Sequence, residues 1–97
     1  MDSPPKLISE ARMICWVAIE SPNQHKGSTK HHVGGQDMPS ADGLAICQYE
    51  GETEFYLFYC DKSWRPFTDT LHDSIQKAKE QASFEYDGID ENWCDAT

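Results

Sequence analysis

The stretch FYLFYCDKSWRPFTDTLHDSIQKAKEQASFEYDG, residues 55–88, decides the fold class. Phe55 to Cys60 is an aromatic run with strong strand preference. Alternation sends Phe55, Leu57 and Tyr59 to one face and Tyr56, Phe58 and Cys60 to the other, so both faces are apolar. Asp61-Lys62-Ser63 reads as a turn. Trp64 to Thr68 reads as a short strand, and Pro66, which lacks an N–H, places it at a sheet edge. A helix is predicted over about 74–87, with Ser74 as N-cap and Asp73 as the competing choice. Ile75, Ala78, Ala82 and Tyr86 share one helix face, and Ile89 continues the line. Asp73 and Lys77 form a favourable i,i+4 pair.

Phe84 falls opposite Ile75 and has two readings. It is an exposed contact for a partner, or it belongs to a helix-terminating Schellman cap. In the cap, Gly88 takes positive φ and Ile89 packs on Phe84. The Asp87-Gly88 pair favours the cap.

Upstream, residues 44–50 read as a strand, and Glu50-Gly51-Glu52-Thr53 turns it into the run at 55–60. Residues 13–19 are expected as a strand, because Trp, Val and Ile cluster there and Ser21-Pro22-Asn23 ends it. A helix over 5–19, begun by Ser3-Pro4-Pro5, is the alternative. Residues 20–43 read as a long loop punctuated by Gly and Pro. The predicted fold is α+β: an antiparallel sheet of three to four strands with one C-terminal helix packed on one face. The 97 residues form one domain. Its parts are an N-terminal segment and loop (12–43), a hairpin, edge-strand and helix core (44–88), and an acidic tail (89–97).

One helix covers only one face of a sheet, so the other needs the N-terminal segment, the long loop or a second subunit. That need motivates a homodimer.

Charge narrows the partners. Seventeen acidic against 8 basic residues give a formal net charge of -9. This argues against nucleic acid, which requires clustered Lys and Arg, and against anionic membrane surfaces. It suits a basic protein partner. Asp90, Glu91 and Asp95 crowd the negative end of the helix dipole, and Trp93 stands among them. These four are the candidate partner-binding residues, with Trp93 either folding back on the core or entering another chain. Residues 1–10 hold no basic start followed by an apolar run, and no stretch is long enough to span a membrane, so the expected compartment is the cytoplasm.

Chemistry is thinly represented. His25, His31 and His32 are weak candidate metal ligands, since a Gly-rich loop fixes no coordination geometry by itself. Cys60 and His72, with Asp61 or Asp69, are the residue types of a thiol hydrolase, but Cys60 is expected in a buried strand. Cys15, Cys47, Cys60 and Cys94 form no CxxC pair, and buried free thiols behave as small apolar groups. No phosphate loop, nucleophile elbow or dinucleotide fingerprint is present, so no catalytic residue or cofactor is assigned. Trp16, Tyr49, Tyr56 and Trp64 are candidate linings of an aromatic pocket.

The segment from Tyr56 to Gly88, with Trp93 beyond it, resembles a small bacterial family. The shared pattern is an aromatic strand, Cys60-Asp61, Trp64, Asp69-Thr70, His72, Ser74, then Ala78-Lys79, Gln81-Ala82 and Phe84-Glu85-Tyr86. The resemblance covers roughly the C-terminal 40% of the chain and implies no activity, because that family has none assigned. The expected function is a non-catalytic interaction module forming a homodimer. The alternatives are an acidic, immunity-type binder of a basic macromolecule and a small enzyme or ligand carrier.

Overall fold

The computed structural model describes residues 3–20, 32–33, 36–37 and 40–96. In chain order the elements are β1 (Leu7–Ile8), β2 (Ala11–Ala18), β3 (His32–Val33), β4 (Gln36–Asp37), β5 (Gly43–Gln48), β6 (Phe55–Cys60), β7 (Pro66–His72), α1 (Ile75–Glu85) and β8 (Cys94–Asp95). The main sheet is antiparallel and curled, in the order β1-β2-β5-β6-β7, with β8 also paired to β2. Strands β3 and β4 pair with each other at two positions.

The fold is α+β with one helix on the sheet, as the sequence predicts, but it has more strands than the three to four expected. The extra ones in the main sheet are β1 and β8, each two residues long and too short to show a period. The helix alternative over 5–19 is excluded: this segment is a hairpin. Its turn, Ser9-Glu10, has φ 49 and φ 71. Positive φ at both central residues is the turn geometry that matches strand twist, and it usually selects Asn or Gly. Ser-Glu carries no such signal.

A bulge in β2 explains how the sheet becomes apolar on both sides. Met13 pairs with Cys47, but Cys15 pairs with Ile46, so Ile14 is an inserted residue. Ala11, Met13, Cys15 and Val17 are all buried at alternate positions. The bulge sends the first two to one face and the last two to the other. Cys15, Val17, Leu44, Ile46, Leu57 and Tyr59 pack beneath α1 against Ala78, Ala82, Tyr86 and Ile89. Leu44, Ile46 and Leu57 are fully buried, each worth about 1.5–3 kcal/mol of apolar transfer.

The opposite face holds Met13, Ala45, Cys47, Phe58 and Cys60. It is closed from within the chain by Ile8 and Ala11 of the first hairpin and by Trp64, with Trp16, Tyr49 and Tyr56 around them. Phe58 is only 4% exposed. No second subunit is needed to keep this face dry.

The helix begins where expected: the Ser74 hydroxyl accepts from the Lys77 N–H at 3.1 Å. It ends earlier than expected. Tyr86 is already extended, with φ -132 and ψ 134. Gly88 does take positive φ, 73. But Ile89 buries itself in the core under α1, and Phe84 stays 55% exposed. The helix stops before Gly88 can act as its first left-handed residue, so the Schellman cap does not form.

The β6–β7 turn spans Asp61 to Arg65, and β7 starts at Pro66 rather than Trp64. Strand β7 is an edge strand, in keeping with Pro66. The tail is not a loose appendage. Ile89 is buried, Asn92 closes a turn by donating to Gly88 O at 2.7 Å, and β8 pairs with Cys15 and Trp16. The loop expected over 20–43 falls largely outside the described residues.

Candidate functional site

The four pocket candidates lie on one face, the one that α1 does not cover, and they pack on one another. Trp16 and Trp64 meet edge to face with ring centroids 5.6 Å apart. Tyr49 and Tyr56 do the same at 5.3 Å, and Tyr56 stacks on Phe58 at 5.9 Å. All four therefore lie away from α1, on the far side of the sheet. Trp16 lines one surface groove with Met13, Arg12 and Asp95. Tyr49 lines another with Leu7, Arg12 and Glu50.

Trp64 is set by its turn. The Asp61 carboxylate accepts the N–H groups of Ser63 at 2.8 Å and Arg65 at 2.9 Å, and Trp64 N–H donates to Asp61 O at 3.0 Å. The Arg65 backbone N–H, with that of Ser63 and the Arg65 guanidinium, holds the Asp61 carboxyl below the usual range.

Around Tyr56 the surface becomes acidic. Its hydroxyl is pushed above the usual tyrosine range by partial desolvation, then by Glu52, Tyr49, Asp69 and Glu54. Across the ladder Tyr56 pairs with Leu71 and Phe58 with Asp69. Leu71 is 51% exposed and Asp69 is exposed, so an apolar and an acidic side chain stand side by side on the last strand.

Of the partner-binding candidates, Trp93 folds back on the core, where it packs partly buried beside α1. Lys79 Nζ sits 5.7 Å from its ring centroid. Its Nε1–H is buried without a hydrogen-bond partner. Asp90, Glu91 and Asp95 are exposed, and Asp90 accepts a hydrogen bond from the Ser83 hydroxyl.

A polar cluster beneath the helix escaped sequence reasoning. Glu85 is fully buried and accepts from the Tyr59 hydroxyl and from Gln81 Nε2, the latter at 3.0 Å. Burial, then the bond to Glu85, push the Tyr59 hydroxyl well above the usual tyrosine range. Tyr86 accepts the Ala41 N–H at 2.9 Å, tying the start of β5 to the helix end. Thr70 Oγ1 and His72 Nε2 are hydrogen-bonded at 2.8 Å, and burial lowers the His72 pKa despite Asp73 and Glu85. The signal for Glu85 was its spacing, seven residues after Ala78 and three after Ala82, on the buried helix stripe.

The Cys60–His72 constellation is not assembled. Cys60 sits opposite Pro66 at one end of the β6–β7 ladder, and His72 opposite Phe55 at the other. Cys60 is buried, and burial, then Asp61, push its thiol up to about 12. That is far from a nucleophile at neutral pH. Of the metal candidates, His25 and His31 lie outside the described residues, and of His32 only the backbone, in β3, is described.

No protein-family model, curated protein or solved structure matches this chain.

Proposed function

We propose that this chain is a non-catalytic interaction module whose partner is a basic macromolecule. One observation carries the reading. The fold buries a single acid among the described residues, Glu85, and leaves Glu52, Glu54 and Asp69 at the surface around Tyr56. A half-buried tyrosine rimmed by exposed carboxylates suits Lys and Arg side chains, which gain from the ring and from opposite charge.

Self-association is the second reading. The exposed Leu71 beside the half-buried Tyr56 favours it. The sheet face opposite α1 does not, since the chain covers that face itself.

The test is binding to an array of basic peptides at rising salt, with two charge-reversed variants. One carries Glu52→Lys, Glu54→Lys and Asp69→Lys; the other carries Asp90→Lys, Glu91→Lys and Asp95→Lys. The expected result is retention of a subset of peptides at physiological salt and its loss in the first variant. Absence of retention at any salt would contradict the reading.

A further inference from the structure

The chain treats the two edges of its sheet differently. The outer edge of β2 is closed from Ala11 to Trp16: β1 pairs at Ala11 and Arg12, and β8 pairs at Cys15 and Trp16. Met13 N–H donates to Lys6 O at 2.9 Å, and Ala96 N–H donates to Ile14 O at 3.0 Å. Both terminal segments serve that closure. Strand β7 is the contrast. It is seven residues long, pairs with β6 on one side and, among the described residues, with nothing on the other.

An open edge presents a row of unpaired N–H and C=O groups to any extended chain. The side chains on β7 narrow which chain. Pro66 guards only its first position. Asp69 and Leu71 lie on the face not covered by α1, next to Phe58 and Tyr56. Electrostatics there are negative, from Asp69, Glu52 and Glu54.

Resting on the reading of this chain as a binder of a basic partner, we infer that β7 accepts an extended basic segment of another protein as an added strand. A Lys or Arg of that segment lies beside Asp69, and an apolar residue two positions along lies beside Leu71. Main-chain bonds supply affinity and the alternating side chains supply selectivity. A second copy of this chain fits poorly. Antiparallel self-pairing centred on the middle of β7 sets Asp69 against its own mate, and each chain carries a net charge of -9. The aspartate that repels a copy attracts a basic strand.

The experiment is an NMR titration of the full chain with two synthetic peptides, both blocked at their ends. The first reads Thr-Lys-Thr-Val-Thr-Lys-Thr. The second has the same charge, with proline in place of each threonine, so four of its seven residues lack an N–H donor. Strand addition predicts amide shifts concentrated in 66–72 with the first peptide, at least about tenfold weaker binding of the second, and a similar loss in Asp69→Lys. Equal, salt-sensitive binding of both, with shifts spread over 50–54 and 90–95, overturns strand addition and leaves the charge-based reading standing. No binding of either at low ionic strength overturns both. Dimerisation of the free chain through β7 overturns the choice of occupant.

Discussion

Trp64 presents itself to Trp16 edge-on, with ring planes at 80°, from a backbone held at φ 62. A bulky residue in left-handed conformation costs of order 1–3 kcal/mol. The cost is offset because the turn delivers an indole that is 4% exposed into the face α1 cannot reach. Backbone strain and closure of the second face are one feature.

That coupling predicts an inverted mutational order. Trp64→Ala should cost about 3–5 kcal/mol in urea denaturation, the range for emptying a large aromatic site. Trp64→Gly removes the same ring but relaxes the backbone, and should be more stable than the alanine variant by about 1 kcal/mol. If glycine is the worse of the two, the left-handed turn is not what holds Trp64.

The first hairpin makes the opposite prediction. Ser9 and Glu10 both occupy positive φ without the residues that favour it. Ser9→Asn with Glu10→Gly should raise stability by about 1 kcal/mol. Thermal denaturation checks this, and a lowered midpoint would mean that the turn adopts another geometry.

The thiols give a pH prediction. Burial raises Cys15 to about 11 and, with Cys60 nearby, Cys47 to about 12; burial raises Cys60 to about 12, while Cys94 is exposed. These acids have folded pKa values above the unfolded value of 9.0. Their contribution is therefore complete below about pH 9, and is lost as pH rises from there through 11–12. At pH 8 a thiol reagent should label Cys94 alone in the folded chain, with the other three following at the rate of unfolding. Fast labelling of Cys60 would revive it as a nucleophile.

Trp93 separates packing from hydrogen bonding. Its indole N–H is buried without a partner, so Trp93→Phe removes an uncompensated donor along with some ring area. The two effects should nearly cancel, leaving the change within about 1 kcal/mol, whereas Trp93→Ala should cost about 3 kcal/mol or more. Denaturant midpoints of both variants test this. A large loss in the phenylalanine variant would show that the N–H is satisfied in solution.

These contrasts also mark what the sequence carries openly. The β5–β6 hairpin, the split of Phe55 to Cys60 between two faces, the Ser74 cap and the edge position implied by Pro66 all follow from local chemistry. The bulge at Ile14 does not, because an inserted residue leaves the alternation of Ala11 to Val17 looking unbroken. The pairing of Cys94–Asp95 with β2 is a long-range event with only two residues to announce it. Glu85 reads as a surface acid by type and as core by spacing, and the spacing was right. The aromatic candidates Trp16, Tyr49, Tyr56 and Trp64 do share a face, packed as two pairs, Trp16 with Trp64 and Tyr49 with Tyr56, and Trp16 and Tyr49 each line a separate surface groove.

Sedimentation equilibrium measures most directly whether one chain closes both sides of its own sheet. With Trp16, Trp64 and the first hairpin shielding the face opposite α1, a monomer of 11.0 kDa is expected at tens of micromolar. A tight dimer that dissociates when Trp16 or Tyr56 is replaced by a charged residue would contradict it, because that face would then be a shared surface rather than an internal one.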